Sequence, residues 1–152
     1  MAAEFSANAA QVVPVNGSII FTETPVPCSN GLVYHRDDTG LFRIANRFFR
    51  QNVMQCWRRN TRYEVAFHAN IAVPEGETVP EEGISLALAI DGDEDPSSTM
   101  IFVPADAEDF GNVGTDIVVT VPCMCTCSSV SVRNTSTIPI MVQNANILFD
   151  LA

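Results

Sequence analysis

Three cysteines alternate with other residues in Cys123-Met124-Cys125-Thr126-Cys127, the densest set of chemically capable side chains in the sequence. On an extended strand their sulfurs project to one side, with alternate positions about 6.5–7 Å apart, too far for disulfides within the run. Partners must come from elsewhere, and Cys28 and Cys56 supply some. Five cysteines cannot all pair inside one chain, so at least one stays a thiol or bridges to another subunit. Cys28, Cys56, Cys123, Cys125 and Cys127 are therefore cross-link candidates, set against the plainer reading of buried, inert thiols. Structural zinc is the weakest of the three readings.

A second cluster, Asp91-Gly92-Asp93-Glu94-Asp95, makes Asp91, Asp93 and Asp95 calcium candidates. It lacks the sixth-position glycine and twelfth-position glutamate of an EF-hand loop, and an acidic hairpin tip is the simpler reading. Of the two histidines, His35 stands beside Arg36, Asp37 and Asp38, and His68 sits among alanines. No nucleophile occupies a Gly-x-Ser-x-Gly setting. There is no glycine-rich phosphate loop, and the aromatics are too sparse for a nucleotide-stacking platform. The expectation is a protein without catalytic residues and without a cofactor. Asn16-Gly17-Ser18 and Asn134-Thr135-Ser136 match glycosylation acceptors but read as turn residues.

Charge is segregated along the chain. All 8 basic residues are arginine, and seven of them fall between positions 36 and 62. A long acidic stretch follows, from Glu75 to Asp116, with no basic residue in it. The net charge of -10 argues against nucleic-acid or anionic-membrane binding, which rests on neutralising phosphates with cations. The arginine cluster reads either as a solvated rim or as a surface that meets the acidic loops of a neighbouring copy through carboxylate pairs.

These residues need a scaffold, and the chain reads as one domain over 1–152, with 1–10 as an N-terminal arm. Apolar residues make up 47% and charged residues 17%, enough to fill a core and too little charge for disorder. No apolar run approaches the roughly 20 residues that cross a bilayer, so no membrane insertion is expected. Turn formers recur at short intervals between runs rich in Val, Ile and Phe, the pattern of an all-β sandwich. In 63–73, Tyr63, Val65, Phe67, Ala69, Ile71 and Val73 share one face by strict alternation. The other face carries Glu64, Ala66, His68, Asn70 and Ala72, suited to solvent or to close approach of another subunit. Strands are also expected at 12–24, 41–45, 84–90, 99–103, 117–121, 128–133 and 139–149. In the last, Met141, Ala145, Ile147 and Phe149 are read on one face, opposite Ile140, Val142, Asn144, Asn146 and Leu148. The total suggests an antiparallel jelly-roll sandwich of about eight to ten strands.

The order Phe5-Ser6-Ala7, Val12-Val13-Pro14-Val15, Tyr63-Glu64-Val65-Ala66-Phe67-His68 and the closing Ile147-Leu148-Phe149 resembles the C1q/TNF-like jelly rolls. It is most similar to the C-terminal domains of collagen-like spore-surface glycoproteins of Firmicutes. The resemblance runs over nearly the whole chain and rests on strand order and loose motifs. It implies a homotrimer around a three-fold axis, serving as a filament tip or a receptor-binding head. The sequence contains no Gly-X-Y repeat, and the stretch from Arg47 to Arg62, interrupted by Cys56-Trp57, reads as this sequence's own elaboration.

The expectation is thus a non-enzymatic structural protein that trimerises and assembles further into a surface layer, shell or appendage. Arg47, Arg50, Arg58, Arg59, Arg62, His68 and Asn70 are its interface candidates. The alternative is a trimeric head that binds a glycan or host receptor through its loops. The opening Met1-Ala2-Ala3-Glu4-Phe5-Ser6 lacks the basic and apolar regions of a signal peptide, which suits a particle built in the cytoplasm, such as a spore layer or phage.

Overall fold

The computed structural model describes residues 1–48, 59–123 and 127–152. Its strands are β1 (Ala2–Ala7), β2 (Gln11–Val13), β3 (Glu23–Val26), β4 (Val33–His35), β5 (Phe42–Ala45), β6 (Thr61–Ala72), β7 (Ile84–Ile90), β8 (Asp93–Glu94), β9 (Met100–Phe102), β10 (Gly111–Val121), β11 (Cys127–Asn134) and β12 (Ile140–Leu151). A 3-10 turn, Pro96–Ser98, is capped by Asp95. The strands form two six-stranded antiparallel sheets. The first runs β10-β6-β12-β1-β3, with β2 also on β12, and the second runs β4-β5-β11-β7-β8, with β9 also on β7. This is a jelly-roll sandwich with more and shorter strands than the turn signals suggest.

The alternation in β6 carries through. Tyr63, Val65, Phe67, Ala69 and Ile71 are buried, and Arg62, Glu64 and His68 are exposed. β10 pairs with β6 along its full 11 residues, from Gly111 opposite Ile71 to Val121 opposite Thr61. Residues 1–10, expected as an arm, instead contain β1, an internal strand of the first sheet between β12 and β3. Ala3, Phe5 and Ala7 point into the core.

β12 departs from the expected facing. Ile140 and Val142 are buried in its first half, and Ala145, Ile147 and Phe149 in its second, so the inward parity switches from even to odd. The cause is a bulge. Gln143 stands opposite Asn70 and Asn146 opposite His68, which leaves one extra residue on β12. Asn144 takes the left-handed conformation there, with φ of 53°, and its N–H donates to the Asn8 carbonyl.

The sheets close over an aromatic cluster. The Phe42 ring, on β5, lies 4.9 Å from Phe5, 5.1 Å from Phe21 and 5.1 Å from Phe149, and His35 stacks on it at 4.4 Å. Phe5 and Phe149 belong to the first sheet, so Phe42 joins the two layers. Tyr63 adds a polar tie, its buried phenol donating to the Ala45 carbonyl across the sandwich. Burial, with a smaller push from Cys28, raises the Tyr63 pKa to about 12.

At the opposite end of the sandwich from Ala45, the fully buried Asn134 is the main latch. Its Nδ2 reaches the carbonyls of Val13 at 3.1 Å, Pro14 at 3.2 Å and Ile138 at 3.0 Å, while Oδ1 accepts the Ser136 N–H at 2.9 Å. An amide held in this way is closed to glycosylation. Replacement by alanine leaves the buried Val13 carbonyl and the buried Ser136 N–H unsatisfied, and we expect Asn134→Ala to lose about 3 kcal/mol in urea unfolding. Phe42→Ala is expected to cost about 3–5 kcal/mol in the same assay. A loss below about 1 kcal/mol in either variant would show that the residue does not hold the layers together.

Candidate functional site

The outer face of the first sheet is exposed and carries the alternate residues of its strands. On β6 these are Arg62, Glu64, Ala66, His68 and Asn70. The register sets Thr120, Val118, Asp116, Gly114 and Asn112 of β10 beside them on one side. Asp150, Leu148, Asn146 and Gln143 of β12 lie on the other. The centre is of small or half-buried residues, Ala66 and Leu148, with Val118 left 59% exposed. Amides ring it: Asn112 Nδ2 donates to Asn70 Oδ1 at 3.1 Å and Asn146 Nδ2 to Glu4 Oε1 at 2.6 Å. His68 and Asn70, expected at an interface, both sit on this face.

The register also gathers carboxylates that are far apart in sequence. Glu64 is raised above its ordinary value of 4.5, first by the charge of Asp116, then by a hydrogen bond with it, slight burial and the charge of Asp150. The Met1 ammonium lies 3.7 Å from Asp150. A carboxyl raised in the folded state holds its proton to higher pH than it does unfolded. Stability therefore falls as pH rises through that window, and the repulsion persists above it. Glu64→Gln is expected to raise the melting temperature at pH 7 and to leave it unchanged near pH 3, where the native group is already neutral. A variant that melts lower at pH 7 would contradict the repulsion.

Three of the expected interface arginines meet at one end of β6. The Phe48 ring lies under Arg47 at 4.7 Å and Arg59 at 5.3 Å, each a cation–π contact. The Arg47 N–H donates to Thr61 Oγ1 at 2.9 Å. Arg47 and Arg62 both line a small hollow of about 100 Å³ at this end. Asn46, 2% exposed, braces it by donating to the carbonyls of Arg59 and Val121, both at 2.9 Å. Arg50 and Arg58 lie outside the described residues. At the other end of β6, the loop to β7 carries Glu75, Glu77, Glu81 and Glu82, and the loop to β10 carries Asp106, Glu108 and Asp109. The two loops meet where the Glu108 N–H donates to the Val73 carbonyl at 2.8 Å. The linear segregation of charge thus becomes a separation along the sheet, although the Asp91–Glu94 hairpin lies at the arginine end, over the second sheet.

That hairpin spends two of its carboxylates on nearby backbone and hydroxyl groups. Asp91 Oδ1 accepts the Ser129 N–H at 2.9 Å, and Asp95 Oδ1 accepts Ser97 N–H and Oγ–H at 3.0 and 2.7 Å. Glu94 lies 3.8 Å from Arg133. Among the described residues no three His, Cys, Asp or Glu side chains converge as metal ligands, so Asp91, Asp93 and Asp95 form no calcium cage there. Cys123 is buried and disulfide-bonded, and Cys127 is exposed at the start of β11. Cys56 and Cys125 lie outside the described residues. Cys28 is half-buried: its Sγ donates to Asn30 Oδ1 and accepts the Val33 N–H at 3.4 Å. Burial pushes its thiol up, but the N–H groups of Val33, Asn30, Leu32 and Gly31 together pull it lower than usual.

One further site lies outside the residues that the sequence singles out. On the second sheet, Tyr34, Arg36, Thr39, Leu41 and Arg43 line an open cavity of about 320 Å³. A signal was present in the alternation of Val33-Tyr34-His35-Arg36, obscured by the turn that follows.

No protein-family model matches the sequence, and no curated protein does. Solved structures do resemble it. The globular domain of zebrafish complement 1qA superposes with a TM-score of 0.64 at 15% identity, over 99% of this chain and 95% of that one. Eiger TNF from S. frugiperda gives 0.63 at 14% identity, over 100% and 92%. Murine APRIL gives 0.60 at 7% identity, over 99% and 100%. At such identities the likeness is one of fold, and the fold is a jelly roll of the C1q and TNF type.

Proposed function

We propose that this chain is a non-enzymatic structural protein that forms a homotrimer through the outer face of its first sheet. The observation that carries the reading is that face itself: six strands wide, small and half-buried at its centre, exposed at Val118, and set in a C1q/TNF-like fold. Trimers then join end to end, the Arg47, Arg59 and Arg62 end of one meeting the acidic loops of the next. Such a head-to-tail contact does not close on itself and extends into a layer, shell or filament, of the sort a spore or phage surface carries.

In sedimentation velocity we expect a species of three times the 16.5 kDa chain mass. Ala66→Arg should reduce it to monomer with an unchanged far-ultraviolet spectrum, and Arg36→Gln, on the other sheet, should leave it intact. Wild-type protein that stays monomeric at every concentration overturns the trimer. In negative-stain images at low salt, stacks or sheets are expected. They should disperse at high salt, where exposed charges are screened, and be lost in Arg59→Glu. Discrete trimers under all conditions would remove the higher assembly.

A second reading, a binding head for a glycan or host receptor, is favoured by one observation, the open cavity beside Tyr34, Arg36 and Arg43 on the sheet that the trimer leaves outermost.

A further inference from the structure

The cavity on the second sheet is built by two adjacent strands and a rigid turn. Tyr34 on β4 and Arg43 on β5 are directly opposed in the register, so their side chains leave the sheet together. Arg36, Thr39 and Leu41 come from the connection between them, which is firmly held. The Phe21 N–H donates to the Thr39 carbonyl at 3.0 Å, the Asp38 N–H to the Phe21 carbonyl at 3.2 Å, and Thr39 Oγ1 to the Arg36 carbonyl at 2.6 Å. His35 Nε2 also bonds the Thr39 carbonyl, at 2.9 Å, while its ring is fixed on Phe42. Gly40 lets the turn lie against the backbone of Ile19 behind it, since a Cβ there would come within 2.6 Å of the Ile19 carbonyl oxygen.

The lining is of two kinds. Leu41, in the connection, is 43% exposed and Tyr34, on β4, is 62% exposed, so two large side chains present apolar surface to the hollow. Arg36 and Arg43 have no ion-pair partner among the described residues, although Asp37 and Asp38 adjoin Arg36 in the chain. In a chain of net charge -10, two guanidinium groups left without carboxylates around a hollow are an exception to the general field. Guanidinium forks bind carboxylate, sulfate and phosphate oxygens in bidentate fashion. The exposed tyrosine ring and the leucine offer an apolar wall against which the carbon face of a ring can lie. A volume of about 320 Å³ is at the small end for ligand sites and fits one or two sugar rings.

We infer that this cavity binds an anionic saccharide, its acidic group held between Arg36 and Arg43 and its ring laid on Tyr34. The inference deepens the binding-head reading and rests on it. The hollow is too small for a protein segment, and the acidic surroundings disfavour a long polyanion, which would have to cross them. One short acidic saccharide unit avoids that repulsion.

The test uses the full chain on a glycan array carrying neutral, carboxylated and sulfated oligosaccharides, followed by calorimetry with a glucuronate-terminated disaccharide, a sulfated disaccharide and their neutral parent. Carboxylated or sulfated probes should bind at least about tenfold more tightly than the neutral parent, and the array separates the two acid types. Arg36→Gln and Arg43→Gln should each weaken acidic-probe binding by about tenfold, and Tyr34→Ala should weaken it with the preference for acid retained. Unchanged melting temperatures would verify the folds of these exposed variants. Binding that ignores the variants, or that prefers neutral sugars, overturns this site and leaves the binding-head reading in place. No binding to any saccharide on the array removes both this site and the glycan-binding head.

Discussion

Two sheets can face one another stably only if some side chain spans the gap without leaving a void, and Phe42 does that here. It projects from β5 into a ring of Phe5, Phe21, Phe149 and His35, so that strands from both layers contact one fully buried group. Dense packing of this kind resists small displacement. With Phe42 fixed, β4 and β5 are held against β1 and β12, and everything either sheet presents outward is held in place with them. The Tyr34 to Arg43 cavity is one direct product, because His35 is both the partner of Phe42 and the support of the turn through Thr39.

The same docking fixes which side of the first sheet faces water. The inward faces of β6, β10, β12 and β1 are consumed by the core, and the outward ones are left with small, amide and charged residues. Such a face is neither a typical solvated surface nor a fully apolar one. Its middle is smooth enough for close approach, and the like charges of Glu64, Asp116 and Asp150 make one region repel itself. The arginines lie at one end and the bare acidic loops at the other, which gives the sheet a direction as well as a surface.

Legibility in the sequence followed the regularity of each element. β6 was readable because its alternation is unbroken, and β7 because large and small residues take turns. β10 is legible only from 117 because its first half contains Gly111 and Gly114, which look like turn residues. A Cβ at Gly111 would lie 2.4 Å from the Phe102 ring, so the glycine serves packing and the strand continues through it. β1 reads as an arm because alanines and a serine give little pattern by themselves. The meeting of Glu64 with Asp116 and Asp150 depends on register across three strands, which no local signal contains. The arginine cluster was visible because it is local, and its gathering around Phe48 preserves that locality. The acidic hairpin was visible too, but its carboxylates turned out to serve the turn and the 3-10 cap.

The bulge at Asn144 has a consequence for how this chain tolerates change. An added residue resets the odd–even frame of the closing strand partway along, so its two halves obey separate accounts of inside and outside. The first half answers to β2 and the Asn134 latch, the second to β1 and the Phe42 ring. A single-residue insertion or deletion elsewhere in a two-faced strand would turn its whole hydrophobic row to water. Here the frame correction already exists, and drift in the length of one half can be absorbed locally without disturbing the other.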